Sequence, residues 1–280
     1  MKTALLAEHI AGYRSEGFVV IEDFLDDEEL DLWRELIATA VEQHPDAPFG
    51  PPDDAIEAAE MPESDKAQLR YYRRVFTQRV NLFQRDDRVR QLVLDPRIGQ
   101  MAAALAGLPS VRLAHDQALF KPPWGNPTAV HLDVPYWSFT SRDALSLWIA
   151  LDDVDESNGC LHFWPGTQLE ESYKNVAIGS DLGALFDVYP HWAAIAPVAA
   201  PMQAGSASFH NGLVAHGAGA NLTAQVRRAM TMQYAPGDAT FNGQANVLPP
   251  EYVATLRVGD PLNDESLTPL VWPVQDSQSR

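Results

Sequence analysis

Residues 129–136 read Ala-Val-His-Leu-Asp-Val-Pro-Tyr and hold a histidine and an aspartate two positions apart in a mostly apolar run. A short apolar run of this kind is typical of a β-strand. Because successive side chains of a strand point to opposite faces, we expect His131 and Asp133 to project together and Leu132 to point away. An imidazole beside a carboxylate supplies two of the three protein ligands of a mononuclear metal site.

A third ligand is expected from a distant part of the chain, where two histidines are candidates. His210 and His216 lie six residues apart, so strand alternation gives them the same orientation and does not choose between them. Arg227 and Arg228 follow on a further strand-like run and point to its opposite faces, so only one of them enters the interior. Two imidazoles and one carboxylate occupy one face of an octahedral ion and leave the other open, as non-haem iron enzymes require.

Several short motifs follow one another along residues 12–236. They are Phe-Lys-Pro-Pro at 120–123, His-Leu-Asp at 131–133, Leu-Trp-Ile-Ala-Leu at 147–151, Asn-Gly-Cys-Leu at 158–161, Pro-Gly-Thr at 165–167, His-Gly-x-Gly-x-Asn at 216–221, and Arg227. In type and order these motifs resemble the phytanoyl-CoA dioxygenase family of iron(II)/2-oxoglutarate oxygenases. The resemblance is specific at family level and does not identify a substrate.

The resemblance implies an iron(II) centre with His131, Asp133 and His216 as metal ligands and catalytic residues. The resemblance favours His216 over His210 because of the glycines and asparagine that follow His216. It favours Arg227 over Arg228 because Arg227 lies eleven residues after that histidine. It implies that 2-oxoglutarate binds the open face of the metal and places its far carboxylate on Arg227. The implied reaction uses O2 to hydroxylate a small molecule and decarboxylates 2-oxoglutarate to succinate, with ascorbate as a candidate stimulant.

Further residues are assigned through the same resemblance. Gln117 and Lys121, four positions apart on one predicted strand, correspond to positions that border the 2-oxoglutarate pocket, and Trp148 to a tryptophan near the co-substrate. Asn221 is predicted to hold the turn after the distal histidine rather than to contact substrate. Relatives often carry serine where this chain has Ala218, which leaves the effect on 2-oxoglutarate binding open.

Aromatic residues near the motifs are candidates for an apolar or amphipathic substrate pocket. Tyr136 and Trp137 are the first candidates, and Phe139, Trp164 and Tyr173 are further ones. Halogenating members of the wider superfamily lack the carboxylate ligand, so its presence here favours hydroxylation. The residues do not choose among the substrate classes of the family.

The composition limits the partners of the protein. The chain has 280 residues, 46% of them hydrophobic, and a formal net charge of −18, which argues against nucleic acid or an anionic membrane as a partner. No run of residues reaches the ~18 apolar residues of a membrane helix. The first nine residues contain too short an apolar stretch for a signal peptide. One cysteine, Cys160, fits a reducing, cytoplasmic setting. The oligomeric state stays undetermined.

From residue 110 onward, short strand-like runs alternate with Gly, Pro, Asn and Asp. They span 110–121, 128–134, 143–152, 160–164, 195–200, 205–210, 213–217 and 226–235. About eight such runs favour a double-sheet jelly roll, that is, a double-stranded β-helix or cupin-like barrel. We therefore predict a mostly β fold in one domain, with a helical part over 1–109 packed outside a barrel over 110–236, and a tail over 237–280.

Local signals predict the flanking elements. Helices are expected over 3–16, after an N-cap at Asp26, over 89–94, over 97–106 behind an N-cap at Asp95, and over 250–256, with a strand over 18–21. Residues 44–63 read as a long surface loop with a short helix at 54–60, and whether this loop is a lid stays open. Arg70, Arg73, Arg74, Arg79, Arg85, Arg88 and Arg90 form a basic zone, interpreted as a solvated face with internal ion pairs; a role for one or two of them in binding an anionic substrate stays open.

Two other functions compete with the oxygenase. A cupin-like barrel that retained its metal site without this catalysis has no need of a cation for a co-substrate. A zinc hydrolase would need a general base on a metal-binding motif, and the sequence offers no obvious one.

Overall fold

The computed structural model describes residues 1–45 and 53–273. In these ranges the strands are β1 Phe18–Ile21, β2 Thr77–Val80, β3 Val111–Phe120, β4 Thr128–His131, β5 Leu145–Ala150, β6 Leu161–Trp164, β7 Val198–Ala200, β8 Ala207–Asn211, β9 Ala215–Ala218, β10 Ala229–Pro236 and β11 Leu270–Trp272. The α-helices are α1 Ala7–Glu16, α2 Asp27–Gln43, α3 Asp53–Ala58, α4 Glu63–Arg73, α5 Asp87–Val93, α6 Pro96–Ala106, α7 Leu185–Val188 and α8 Pro250–Val253.

The strands of the described ranges form two antiparallel sheets. The larger sheet has the order β1-β8-β5-β10-β3-β11, with β2 also paired to β3, and the smaller sheet has the order β4-β9-β6-β7. Each of the eight predicted runs from residue 110 contains one of these strands, and the two sheets fit the predicted double-stranded β-helix. The fold class is therefore confirmed. The larger sheet also recruits strands from both flanking regions: β1, β2 and β11.

Helices α1, α2, α5 and α6 pack on one face of the larger sheet. Apolar side chains such as Leu147 of β5, Phe209 of β8 and Met232 of β10 join Trp33 and Ile37 of α2 in one buried cluster. The residues at alternating positions of these strands face the interior between the sheets instead. This face of the sheet is thereby closed by helices, and the opposite face is available for a site.

The predicted N-caps of two helices are present in the structure. Asp26 caps α2, its carboxylate accepting from the backbone N–H of Glu29 while Glu29 accepts from that of Asp26. Asp95 caps α6 with Pro96 as its first residue, and Gly107 ends α6 in a left-handed conformation. These local interactions satisfy backbone groups that the ends of the two helices leave without partners.

The predicted loop over 44–63 is partly helical. Residues 46–52 lie outside the described part of the chain, and α3 corresponds to the short helix expected at 54–60. The helix α4 follows directly after this segment, and Arg70 within it pairs with Glu57 and Glu63. Arg88 pairs with Asp86. The basic zone therefore contains the internal ion pairs that were predicted.

No helix in the described part of the chain combines the length and the apolar character needed to cross a membrane.

The buried face of β5 provides a test of the packing. Replacing the fully buried Leu147 with alanine should lower the free energy of unfolding by about 2–5 kcal/mol, because the substitution leaves a cavity between sheet and helices. The matched change Leu32→Ala, at a position 46% exposed on α2, should cost less than about 1 kcal/mol. Urea denaturation measures both, and equal losses would contradict the assignment of this core.

Candidate metal centre and its cavity

The two histidines of the site lie on neighbouring strands. Strands β4 and β9 pair antiparallel in the smaller sheet, and His131 is directly opposite His216 in this register. The ligand expected from a distant part of the chain is thus carried by the hydrogen-bonded neighbour of β4. The aromatic centroids of the two imidazoles are 4.3 Å apart.

Asp133 does not belong to the strand. The expected strand over 128–134 ends at His131, and Asp133 takes a helical conformation (φ −79°, ψ −50°) before a 3₁₀ turn over Val134–Tyr136. Both Asp133 and Val134 donate their backbone N–H groups to the carbonyl oxygen of Gly212, at 2.9 and 3.0 Å. A Cβ at position 212 would lie 2.6 Å from a methyl carbon of Val134, so this turn requires the glycine. The turn, not strand alternation, brings the carboxylate beside His131.

Three side chains present ligand atoms to one point. The Nε2 atoms of His131 and His216 lie 3.5 and 3.7 Å from Oδ1 of Asp133, and the three ligand atoms fall within 4.8 Å of one another. Nδ1 of His131 donates to the carbonyl oxygen of Ala129 at 2.9 Å, and Nδ1 of His216 donates to that of Val214 at 3.0 Å. This fixes the tautomer that leaves each Nε2 lone pair free, as metal-binding histidines require.

The second carboxylate oxygen of Asp133 has partners on the larger sheet. Ser146 donates its hydroxyl to Oδ2 at 2.7 Å, and Nε2 of His210 lies 3.5 Å from the same oxygen. Ser146 and His210 are cross-strand partners on β5 and β8. His210 thus faces the carboxylate from the sheet opposite His216, and the arrangement leaves Oδ1 directed at the two ligand nitrogens.

Burial and the neighbouring groups set the charge states. Burial lowers the pKa of His216 to about 3, helped by the nearby imidazole of His131, so His216 is neutral and can bind a metal. Burial opposes ionisation of Asp133, but the imidazoles of His216, His131 and His210 hold the pKa of its carboxyl well below the usual range. The site therefore offers one negative charge on Asp133 and a neutral nitrogen on His216.

Arg227 is a buried cation that forms no ion pair with any described residue. Arg227 is 2% exposed, and its guanidinium carbon lies 5.1 Å from the ring centroid of Trp148 and 5.8 Å from that of Phe76. Its Nε and Nη1 atoms have no hydrogen-bond partner among the described residues. Burial lowers its pKa to about 10, which keeps the guanidinium charged at neutral pH. Buried N–H donors of a charged guanidinium are normally paired, so their free state indicates an anionic or carbonyl ligand in this space.

Arg228 points to the opposite face, as predicted. Its guanidinium binds Asp152 through Nη2 at 2.5 Å and through Nε at 3.0 Å. Only Arg227 of the two lines the cavity.

The metal-ligand cluster and Arg227 open onto one cavity of about 610 Å³. Gln117, Trp148, Tyr136 and Trp137 line it, together with Ala218. Three segments outside the two sheets also line it: Met61 with helix α4, the loop at 177–178 and the tail at 246–247.

Lys121 does not line the cavity among the described residues. Its ammonium donates to the carbonyl oxygen of Asn126 at 2.5 Å and lies 4.6 Å from the ring centroid of Phe76. Burial, with a contribution from the nearby Arg227, lowers the pKa of Lys121 to about 6. Lys121 stays paired with Arg227 beyond the end of β3, and its ammonium is taken up by the carbonyl oxygen of Asn126 and the ring of Phe76.

Asn221 holds its turn, as expected. Its side-chain NH2 donates to the carbonyl oxygens of Lys121, Pro122 and Gln225, and its Oδ1 accepts from Thr223. None of these contacts involves the cavity.

Three of the aromatic residues considered for the substrate pocket lie elsewhere. Phe139 stacks on the outer side of Trp137 at 5.4 Å, and Trp164 packs on Phe186 at 5.4 Å. Tyr173 is 39% exposed. These three candidates are therefore not on the described wall of the cavity.

The sequence reasoning missed four polar residues of the cavity. His115 of β3, Ser146 of β5, and Thr231 and Gln233 of β10 all line it. The alternation Ala-Met-Thr-Met-Gln-Tyr over 229–234 was an available signal, since its polar members share one face of the strand. No motif marks these residues.

Known proteins are similar in sequence to most of this chain. The family model for phytanoyl-CoA dioxygenase (PhyH) matches residues 13–229. The methylphosphonate hydroxylase of Gimesia maris is 26% identical over 244 residues, 84% of this chain and 82% of that protein. A probable alpha-ketoglutarate-dependent hypophosphite dioxygenase of Stutzerimonas stutzeri is 27% identical over 241 residues, 84% of this chain and 80% of that protein.

Solved structures extend the likeness. The non-heme alpha ketoglutarate dependent carbocyclase SnoK from nogalamycin biosynthesis superposes with a TM-score of 0.75 at 29% identity, covering 95% of this chain and 96% of that one. The epimerase SnoN, solved in complex with Fe3+, alpha ketoglutarate and nogalamycin RO, gives a TM-score of 0.69 at 25% identity, covering 94% and 97%. Because the family model spans well over half of the sequence, this chain belongs to the phytanoyl-CoA dioxygenase family.

Proposed function

We propose that this protein is an iron(II)- and 2-oxoglutarate-dependent oxygenase that hydroxylates a small molecule. The observation that carries the proposal is the shared cavity: a three-ligand metal cluster and a buried arginine without an anionic partner open onto the same space. A binding module that only retained a metal would not need the arginine. A buried unpaired cation costs folding free energy, so its presence favours a dedicated anionic ligand.

The donor set fits iron(II). Nε2 of His131, Oδ1 of Asp133 and Nε2 of His216 would hold the ion through one face, since two imidazoles and one carboxylate are the facial ligands of non-haem iron oxygenases. Iron with 2-oxoglutarate supplies dioxygen activation, with overall conversion of substrate, 2-oxoglutarate and O2 to hydroxylated substrate, succinate and carbon dioxide. Ser146 and His210 keep the carboxylate oriented, and neutral His216 keeps its lone pair available.

Arg227 would bind the far carboxylate of 2-oxoglutarate. Its Nε and Nη1 have no partner among the described residues and are available to a carboxylate, and Trp148 and Phe76 exclude water from the guanidinium. Gln117 and Trp148 are assigned to this part of the cavity, while Tyr136, whose ring lies 6.5 Å from that of His131, and Trp137 are assigned to the substrate. Lys121 is assigned no contact with 2-oxoglutarate, because its ammonium is used by Asn126.

The relatives support the co-substrate. One is named a hydroxylase and another an alpha-ketoglutarate-dependent dioxygenase, and the SnoN structure holds Fe3+ and alpha ketoglutarate. Residues of α4, the barrel and the tail all contribute to the cavity wall, which supports the proposal that the chain acts as one functional domain. Succinate release that requires Fe(II), 2-oxoglutarate and O2, assayed with ascorbate present, is the direct test of the activity.

Ligand substitutions test the metal assignment. His131→Ala and His216→Ala should each reduce bound Fe(II) from one per chain to a small fraction, because each removes one of three protein ligands. His210→Ala serves as the matched control and should retain stoichiometric Fe(II), since its Nε2 faces the non-ligating oxygen of Asp133. Anaerobic equilibrium dialysis measures the stoichiometry. Loss of iron in His210→Ala together with retention in His216→Ala would reverse the assignment.

Arg227→Ala should weaken 2-oxoglutarate binding strongly while Fe(II) still binds. Removing one partner of a buried ion pair costs roughly 3–5 kcal/mol, which corresponds to a loss of about a hundred- to several-thousand-fold in affinity. Arg227→Lys should recover only part of it, because a point charge replaces the bidentate fork.

The control is Arg228→Ala, which breaks the pair with Asp152 outside the cavity and should leave the affinity unchanged. The measurement is a titration of 2-oxoglutarate into the anaerobic iron protein, followed by the metal-to-ligand charge-transfer band. Equal affinity in Arg227→Ala and the parent protein would refute the role of Arg227, and no complex in the parent would refute the oxygenase itself.

A further inference from the structure

A row of polar side chains crosses four strands of the larger sheet. The register places His210 of β8 opposite Ser146 of β5, Ser146 opposite Gln233 of β10, and Gln233 opposite His115 of β3. All four residues line the cavity. The row begins at Asp133, which Ser146 and His210 contact, and it leads away from the metal cluster towards Trp137, whose ring meets that of His115 edge to face at 6.4 Å.

Gln233 is the member of this row with spare hydrogen-bonding capacity. Its residue is 4% exposed, and its Nε2 donates to the hydroxyl of Thr231 at 3.0 Å. Its Oε1 has no hydrogen-bond partner among the described residues. Buried polar atoms are normally paired, so an amide oxygen left without a partner on a cavity wall indicates a ligand group that pairs with it. Rotation of the amide by half a turn would expose a donor instead.

The position of Gln233 places that ligand group near the reaction centre. Cross-strand partners in an antiparallel sheet have Cα atoms roughly 5 Å apart, and the partner of Gln233 on β5 is Ser146, whose hydroxyl binds Asp133. A molecule held by Gln233 therefore lies beside the open side of the metal cluster. Arg227, two residues before the strand, stays free for 2-oxoglutarate.

The charges of the cavity disfavour an anionic substrate. Among the described residues that line it, Arg227 is the only lysine or arginine, and the acids are Asp65 and Asp133. Arg227 is committed to 2-oxoglutarate in the proposed function, so no lysine or arginine of the described wall is left to offset a second anion. A phosphonate or a coenzyme A thioester would enter this space with its charge uncompensated.

The size and the remaining walls favour a bulky apolar molecule. The cavity of about 610 Å³ lies in the range of sites for drug-sized ligands. Apolar side chains form much of the wall, among them Leu69, Leu119, Trp137, Ile178 and Val247. A phosphorus oxyanion of a few atoms would leave this surface without contacts.

We infer that the primary substrate is an uncharged, largely apolar ring-containing molecule with a hydroxyl or carbonyl group that hydrogen-bonds to Gln233. This inference rests on the proposed oxygenase function and specifies its substrate class. It separates this protein from the two relatives that are named for methylphosphonate and hypophosphite. The apolar walls bind the rings, and the single amide fixes which edge of the molecule faces the metal cluster.

The test uses probes that share a skeleton and differ in one group. For biphenyl these are 4-biphenylmethanol, 4-methylbiphenyl and biphenyl-4-carboxylate, and for naphthalene the corresponding 2-substituted alcohol, hydrocarbon and carboxylate; methylphosphonate and hypophosphite represent small oxyanions. Binding is measured by anaerobic equilibrium dialysis against the protein already loaded with Fe(II) and 2-oxoglutarate. At least one alcohol should bind, and about tenfold or more tightly than its carboxylate partner and both oxyanions. Failure of both alcohols to bind, or tighter binding of the anions, would overturn the inference.

Gln233→Leu isolates the hydrogen bond. This variant should weaken binding of the alcohol by about tenfold, the value expected for one hydrogen bond, and leave binding of the matching hydrocarbon unchanged. Gln100→Leu, on an exposed position of α6, is the matched control and should change neither. An alcohol affinity that is unaffected in Gln233→Leu would remove Gln233 from substrate recognition.

The loading step separates the two hypotheses. If the parent protein forms no complex with Fe(II) and 2-oxoglutarate, the proposed function fails before any probe is added. If that complex forms normally and the probes show no preference for the uncharged alcohols, only the inferred substrate class fails.

Discussion

The register of the larger sheet is the constraint on which both the core and the site depend. Along β5, β8 and β10, one set of alternate residues packs against the helices and the other set faces the cavity. Because the side-chain period of a strand is two, a slip of one residue in any pairing would send Leu147 or Met232 into the cavity and Ser146 or Gln233 into the helical layer. The buried apolar face therefore specifies the positions of the polar residues, although it contacts neither metal ligands nor substrate.

The site combines contributions from both sheets with a different physical role for each. The smaller sheet supplies His131 and His216 as paired neighbours, whose Nδ1 atoms are fixed by backbone carbonyls. The larger sheet supplies Ser146 and His210, which orient the carboxylate of Asp133. Just before its strand β10 lies Arg227, whose guanidinium has no anionic partner among the described residues. A carboxylate between two sheets is held from both sides, and this limits how far it can rotate when a metal binds.

The sequence predicted the elements and the residue types of the site better than their geometry. The strand-like runs from residue 110 and the capping box at Asp26 depend on local patterns, and the structure confirms them. The placement of Asp133 depends on a turn tied to Gly212, which lies far along the chain, and alternation could not reveal it. Lys121 keeps its pairing with Arg227, but its ammonium binds the carbonyl oxygen of Asn126, a contact that alternation does not reveal. The recruitment of β2 and β11 into the sheet, and of Gln233 into the cavity, depended on pairings between distant segments that no local signal specifies.

The pairing of β1 with β8 has a consequence for how the chain is made. Ile21 of β1 lies opposite Ala207 of β8, and the strands that complete the interior of the larger sheet, β8 and β10, come late in the sequence. During synthesis from the N-terminus, β1 and the apolar faces of α2 and α6 are therefore exposed well before their partner strands exist. Folding dominated by such distant pairings is slow and leaves apolar surface open to aggregation. The most demanding period for this protein is thus its emergence from the ribosome, when its N-terminal segments must stay apart from other chains until β8 and β10 arrive.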